Sequence, residues 1–245
     1  RVRALASGQP HVAICCDSGR SFRKDISADY KAQRPESDAT LQHQIALAID
    51  ILRTDGFPIW MATNYEADDV IATATHKALT LFESGSTAVT IATADKDLLQ
   101  LVSTDRVVVK SLRDGAILDA DAVQAKFGVK PHQMRDYLSL VGDSSDNIHG
   151  AKGIGPKKAA ELLAKYGTLE QIYAELTAYG TKFTPSLATS LREFEPRLQA
   201  VRELVTLRTD VPLAFDEILK SRVPVLVFDT DVAVFGEDRS DEAGI

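Results

Sequence analysis

The stretch AVTIATADKDL (88–98) decides the fold: an apolar, β-branched run that stops at two aspartates separated by one lysine. Such a run, bounded by acids, reads as a strand covered on both faces, the kind found in parallel sheets. HVAICCD (11–17), PIWMA (58–62) and RVVVKSL (106–112) read the same way. Between them lie helical patterns. From Ser37, Leu41, Ile45, Ala48, Ile49 and Leu52 share one face, and Asp55-Gly56 stops the helix. A second helix starts near Tyr65, with Val70, Ile71, Ala74, Ala78 and Phe82 inward, and ends at Ser84-Gly85. Strand–helix alternation implies right-handed crossovers and a parallel sheet, whose functional crevice lies beyond the carboxyl ends of the strands. From Ala120 the pattern turns helical, over 120–127, 131–141, 156–166, 168–178 and 184–205. Residues 18–36 read as a mobile loop or short helices, LVTLRTDVPL (204–213) as a returning edge strand, and 229–245 as a frayed acidic tail.

With 245 residues, 44% hydrophobic and 26% charged, the chain suits one large or two small globular domains. No run approaches the roughly 20 apolar residues of a membrane span, and the start has no signal-peptide core. The first residue is Arg, so the chain is expected to begin inside a longer reading frame. Two adjacent cysteines, Cys15 and Cys16, cannot build a disulfide framework and point to a reducing, cytoplasmic setting. A net charge of −7 argues against a nucleic-acid partner only if the acids are spread evenly. They are not. With the acids below and the acidic stretch 229–245 set aside, the body is mildly basic.

Glu66, Asp68 and Asp69 open a helix in YEADDV (65–70). One or two acids there would be ordinary compensation of the helix dipole; three in four residues exceed that need. Asp17, Asp95 and Asp97 follow strand ends, and Asp143 and Asp146 lie one helical turn apart in GDSSDN (142–147). Each alone reads as a polar turn. In a parallel sheet, however, the strand ends at 16 and 93 and the start of the 65–83 helix face one crevice. Crowded carboxylates repel and raise each other's pKa, a conflict that a divalent cation resolves. All-oxygen ligands favour Mg²⁺ or Mn²⁺ over zinc, and two groups of acids suggest two ions, the arrangement used for phosphodiester cleavage.

The second signal is GAKGIGPKKA (150–159). Gly153-Ile154-Gly155 makes a sharp interhelical turn, and Pro156 suits a first helical position. Backbone N–H groups of such a turn, with a helix start behind them, cradle a phosphate. Lys152, Lys157 and Lys158 add charge without reading bases.

Together, SFRKDISADYKAQR (21–34), YEADDV, TADKDLLQL (93–101), LVGDSSDNIHGAKGIGPKKAAELL (140–163) and LRTDVPL (207–213) resemble the bacterial 5′ nucleases: flap endonucleases and the 5′→3′ exonuclease domain of DNA polymerase I. The resemblance covers roughly residues 11–213. It implies an α/β fold, a PIN-like parallel-sheet domain followed by a helix–hairpin–helix DNA-binding domain of the two-turn type. It places Asp17, Glu66, Asp68 and Asp69 about a first metal, and Asp95, Asp97, Asp143 and Asp146 near a second. Asp17, Asp68, Asp95, Lys31 and Arg34 form the implied catalytic set, with Lys31 neutralising phosphate charge and Arg34 steering the strand. The implied DNA contacts are Arg23, Tyr30 (stacking on a base), Lys31, Arg34, Lys152, Gly153, Ile154, Gly155, Lys157 and Lys158. A K⁺ ion on main-chain oxygens of the hairpin is also implied.

The expected activity is metal-dependent, structure-specific 5′→3′ exonuclease or 5′-flap endonuclease cleavage of DNA in replication and repair. The substrate is DNA with a 5′ flap, nick or single-strand/duplex junction, and the chain is read as a monomer near the nucleoid, with no membrane partner. One departure matters. HVAICCD matches the family's second acidic strand, so a first strand and its Asp are expected to be missing. The domains are accordingly read as 1–125 (catalytic), 126–215 (DNA-binding) and 216–245 (an extension with an acidic tail). Two alternatives follow: a junction-binding module that does not cut, and a PIN-type ribonuclease, a class that normally lacks the GIGPKK hairpin.

Overall fold

The computed structural model describes residues 2–7, 11–35, 38–81, 89–103, 106–213 and, as backbone, 225–229. Its first half carries α1 (Val2–Ala6), β1 (His11–Cys15), α2 (Arg23–Ile26), α3 (Ala39–Thr54), β2 (Ile59–Trp60), α4 (Ala67–Leu81), β3 (Val89–Thr93), β4 (Val107–Ser111), β5 (Ile117–Leu118) and α5 (Ala120–Phe127). The second carries α6 (Met134–Val141), a two-stranded β6 (Gly142–Asp143) and β7 (Ile148–His149), α7 (Pro156–Tyr166), α8 (Leu169–Ala178), α9 (Pro185–Val205) and finally β8 (Val225–Asp229). The ends of the second predicted helix, Phe82 and Ser84-Gly85, lie outside the described residues, as do 230–245. No helix among the described residues is long and apolar enough to cross a membrane.

The main sheet has the order β2-β1-β8-β3-β4-β5, parallel except at β5. Strand alternation divides its side chains between two cores. Cys15, Val89 and Ile91 pack under α4 through Val70, Ile71, Ala74 and Ala78. Val12, Ile14 and Ala92 face Val2 and Leu5 of α1 and Ile49 and Leu52 of α3. The first core continues without a break into the helical half, through Leu98, Leu138, Leu163, Ile172 and Leu191. Each such side chain contributes about 1.5–3 kcal/mol when removed from water.

Two expectations are corrected. Residues 206–213 form no strand. Their backbone partners are α4 side chains instead: Thr73 Oγ1 donates to Arg208 O at 3.2 Å and accepts from Val211 N at 3.2 Å, and Lys77 Nζ donates to Leu213 O at 3.3 Å. The stretch is a strap along the helix, not a sheet edge. The second correction concerns 216–245, read as an extension outside both domains. Residues 225–229 run in the middle of the main sheet, between β1 and β3. The interior position that was expected to be missing is therefore filled.

The hairpin region is built on a close backbone approach. Gly142 (φ +78°) ends α6, and Ala151 N donates to Leu140 O at 2.8 Å. A Cβ on Gly150 would stand 2.2 Å from Leu140 O, whereas a Cβ on Gly153 (φ +75°) would meet nothing within 4 Å. Gly150→Ala is therefore expected to lower stability by about 3 kcal/mol, and Gly153→Ala by only about 1–2 kcal/mol of backbone strain. Urea denaturation of the two variants, with equal losses as the contrary result, checks the assignment.

Candidate metal and nucleic-acid site

The site starts where β1 and β3 end. Asp17 lies two residues past β1, and its Oδ1 accepts from Ala67 N at 2.6 Å, which fixes it to the start of α4. Glu66 and Asp68 lie in and before the first turn of that helix, Asp68 half-buried. Asp95 lies two residues past β3, and its Oδ1 accepts from Asp97 N at 2.8 Å. Asp143 ends β6, and Asp146 comes from the turn between β6 and β7.

The structure joins these acids into two groups linked by residues 30–34. Tyr30 Oη is 2.8 Å from Glu66 Oε2 and 3.0 Å from Asp146 Oδ2. A hydroxyl has one proton to donate, so one of these carboxyls must hold a proton of its own or yield. Burial pushes Asp146 up, while Lys31 and Arg23 outweigh burial and hold Glu66 down. Lys31 adopts φ +53°, a conformation rare for a side-chain-bearing residue. Its N–H donates to Asp146 O at 3.0 Å, and its ammonium donates to Glu66 Oε1 at 2.6 Å. Arg34 Nη2 donates to Asp146 Oδ1 at 2.8 Å and stays half-exposed.

Three assignments from sequence are corrected. Asp69 is fully buried, and its carboxylate takes Arg23 Nη1 at 2.6 Å, Arg23 Nη2 at 2.8 Å, Arg208 N at 2.9 Å and Glu66 N at 3.2 Å. It has no room for a metal. Arg23, 2% exposed, also donates to Glu66, Leu204 O and Thr206 O, so it cannot reach DNA. Tyr30, 3% exposed, cannot stack on a base.

The second group contains an unsatisfied buried oxygen. Asp97 Oδ1 is buried with no hydrogen-bond partner. Burial first, then the charges of Asp95 and Asp143, push this carboxyl well above the usual carboxylate range. Lys96 Nζ donates to Asp143 Oδ2 at 2.6 Å, and this bond, with those from Ser145, outweighs burial to hold Asp143 low. The donors are all oxygen, which suits a hard divalent cation. Among the described residues no three acids or histidines close into a ready coordination sphere. Lys31, Lys96 and Arg34 supply the counter-charge between the carboxylates instead.

A cleft of about 580 Å³ opens over Asp95 and Asp143, with Arg34, Lys96, Arg113 and Lys126 on its walls. Ser144 also lines a second cleft, of about 590 Å³, over the hairpin with Lys152, Gly153, Gly155 and Arg197. Lys152, Gly153, Gly155, Lys157 and Lys158 are exposed, while the Ile154 side chain is buried at 3% and anchors the turn, leaving only its backbone outward. Lys158 Nζ closes the turn onto Gly153 O at 3.0 Å. The first N–H groups of α7 point out of the helix start here. Sequence reasoning missed Lys96, Arg113, Lys126 and Arg197. The first sits inside a quoted motif and was legible as a cation among acids; the others carry no local signal.

Comparison with known proteins agrees with the five motifs. The family described as "5′-3′ exonuclease, N-terminal resolvase-like domain" matches residues 2–128, and "5′-3′ exonuclease, C-terminal SAM fold" matches 129–223. The chain is 38% identical over 208 residues to a 5′-3′ exonuclease of Aquifex aeolicus, covering 84% of this chain and 68% of that one. It is 39% identical over 207 residues to DNA polymerase I of Rhizobium leguminosarum, covering 84% of this chain but 20% of the polymerase. A bacteriophage T5 flap endonuclease, solved as a pseudo-enzyme–product complex with DNA and metal ions, shares the fold at a TM-score of 0.67 and 23% identity, over 83% of this chain and 76% of that one.

Two outcomes are expected. Arg23→Met leaves Asp69 buried without a counter-charge and should cost about 3–5 kcal/mol in urea denaturation; wild-type stability would contradict the pairing described. Asp97→Asn removes a buried charge with little change of shape. It should raise the melting temperature in EDTA and shrink the rise that Mn²⁺ gives the wild type.

Proposed function

The chain belongs to the 5′-3′ exonuclease family, and on that premise we propose that it hydrolyses DNA phosphodiester bonds at 5′ flaps, nicks and single-strand/duplex junctions, in replication and repair. The observation that carries this reading is the orphaned Asp97 oxygen, buried among carboxylates under a basic-walled cleft that meets the hairpin cleft at Ser144.

Asp17, Glu66 and Asp68 would hold one divalent cation, and Asp95, Asp97, Asp143 and Asp146 a second. Bound Mg²⁺ or Mn²⁺ supplies Lewis-acid polarisation of the phosphate and lowers the pKa of a water. The chain's own residues do the positioning. Lys31 and Arg34, both within reach of Asp146, offset charge on the scissile phosphate as it develops. The hairpin N–H groups, with Lys152 and Lys157, grip duplex phosphates some distance away and set the register of the strand without reading its sequence. The fixed distance between hairpin and acids makes the cut structure-specific. The products are a 5′-phosphate and a 3′-hydroxyl. A K⁺ ion on hairpin carbonyl oxygens belongs to the same proposal. Cys15 and Cys16, both buried, suit a reducing cytoplasmic setting, and we read the chain as a monomer there.

The test is cleavage of a 5′-labelled flap DNA with Mg²⁺ or Mn²⁺ and with EDTA as control. Metal-dependent product at the junction is expected; flap binding without any cleavage would make the chain a binding module. Asp95→Asn should lower the cleavage rate by roughly a thousandfold and leave flap affinity within about threefold. Lys152→Gln or Lys157→Gln should weaken binding equally on all sequences and reduce the salt slope by about one per lysine.

A further inference from the structure

The basic edge of α7 runs on past the hairpin. Lys158 stands in the first turn of the helix and is bonded back to Gly153 O. Lys165 follows seven residues later, about 10 Å along the helix axis. That distance is roughly three nucleotides of one DNA strand at ~3.4 Å each. Both lysines line a cleft of about 350 Å³ between α7 and the start of α9, and Lys182 lines it too. The position of α9 beside the hairpin is fixed: Ser190 Oγ donates to Lys152 O, and Arg197 Nη2 donates to His149 O at 2.5 Å.

The interior of this cleft is apolar and aromatic. Leu162 and Phe183 are buried and Leu187 half-buried in its lining, and Tyr166 stacks on Phe183 with ring centroids 5.3 Å apart and planes at 20°. Its charges are mostly positive, three lysines against one acid, Glu161, among the described residues. Lys158 Nζ is bonded to a carbonyl, and Lys165 Nζ lies 4.8 Å from the Tyr166 ring centroid, so neither is bonded to a carboxylate among the described residues. Lys182 Nζ donates to Glu175 Oε2 at 2.8 Å in a solvent-exposed pair, which is too weak to withhold it from a stronger anion. The same ammonium lies 4.3 Å from the ring centroid of Tyr179, an aromatic that is 56% exposed. Ammonium groups around aromatic surface are the composition that holds unpaired nucleotides, with bases on the rings and phosphates on the cations. A base inside a duplex keeps both faces stacked and cannot use such a surface. The volume is at the lower end for ligand pockets, room for about one nucleotide.

We propose that this cleft is a second nucleic-acid site, which takes one unpaired nucleotide of a strand leaving the duplex on the hairpin. The base lies against Tyr166, Phe183 and Leu187, and the phosphate is held by Lys158, Lys165 and Lys182. The proposal rests on the reading that the hairpin binds duplex phosphates. It adds a preference to that reading: a duplex that opens into a single strand a few nucleotides past the hairpin is held more tightly than one that ends blunt.

The experiment is fluorescence anisotropy of the full chain in EDTA, with a blunt DNA duplex and the same duplex bearing a short tail of unpaired thymidines on either strand. Wild type, Lys152→Gln and the double variant Lys165→Gln with Lys182→Gln are compared; both lysines of the double variant are exposed, so folding is not at stake. A tail should raise wild-type affinity about fivefold or more. The double variant should lose that gain and keep its blunt-duplex affinity within about twofold. A 5-iododeoxyuridine in the tail should photocrosslink to Tyr166 or Tyr179. If the double variant keeps the gain, or if the tail gives wild type no gain while Lys152→Gln weakens blunt-duplex binding, the inference fails alone. If wild type binds no duplex, the hairpin reading fails and takes the inference with it. A Glu-Glu-Glu-Phe peptide that binds wild type and is lost in the double variant, with tail binding unchanged, would assign the cleft to an acidic protein segment and overturn the proposal.

Discussion

One buried guanidinium ties the catalytic half to the helical half. Arg23 gives its donors to Asp69 and Glu66 at the start of α4 and to the carbonyls of Leu204 and Thr206 at the end of α9. Taking such an ion out of water costs several kcal/mol, and only complete pairing offsets it. Here every oxygen of Asp69 is matched, partly by the backbone N–H of Arg208. The pairing fixes where α9 ends against α4, and with it the strap 206–213. It also orients Glu66, whose remaining capacity receives Tyr30 and Lys31. The spacing between the two carboxylate groups therefore descends from a buried ion pair at the start of α4.

Beside this satisfied pair lies an unsatisfied cluster. Asp97 Oδ1 is buried beside charges of its own sign, and Lys96 is bonded to Asp143, not to Asp97. A fold selected for stability alone would replace one of these acids. Their place at the carboxyl edge of a parallel sheet suits the proposed binding of hard cations, because affinity there comes from concentrated charge that the free chain must tolerate. Lys31, held with a positive φ between Glu66 and Asp146, shows the same tension in its backbone.

Several elements were legible in advance because their signals are local. α5 and α7 match the sequence reading at both ends, since Asp119 caps one and Gly128 closes it, while Pro156 and Gly167 bound the other. The acids at strand ends and the glycine hairpin were legible for the same reason, and so was the family. The failures have a common cause. Arg23, Tyr30 and Asp69 look like surface residues of a polar stretch, and a buried ion pair leaves no hydrophobic pattern to betray it. Residues 204–213 carry strand-like alternation, but their hydrogen bonds go to Thr73 and Lys77 across the helix.

By itself the sequence determined the α/β class, the family, the two groups of carboxylates and the glycine turn before α7. Periodicity, capping and short motifs are written in neighbouring residues, and neighbouring residues suffice to read them. Tertiary structure alone decided which acids are consumed by Arg23, how the two clefts meet at Ser144, and that VLVFD enters the centre of the main sheet. A five-residue apolar run states that it wants partners on both sides, but not which ones. In a parallel sheet that choice is made by strands distant in sequence, through contacts that no local pattern encodes.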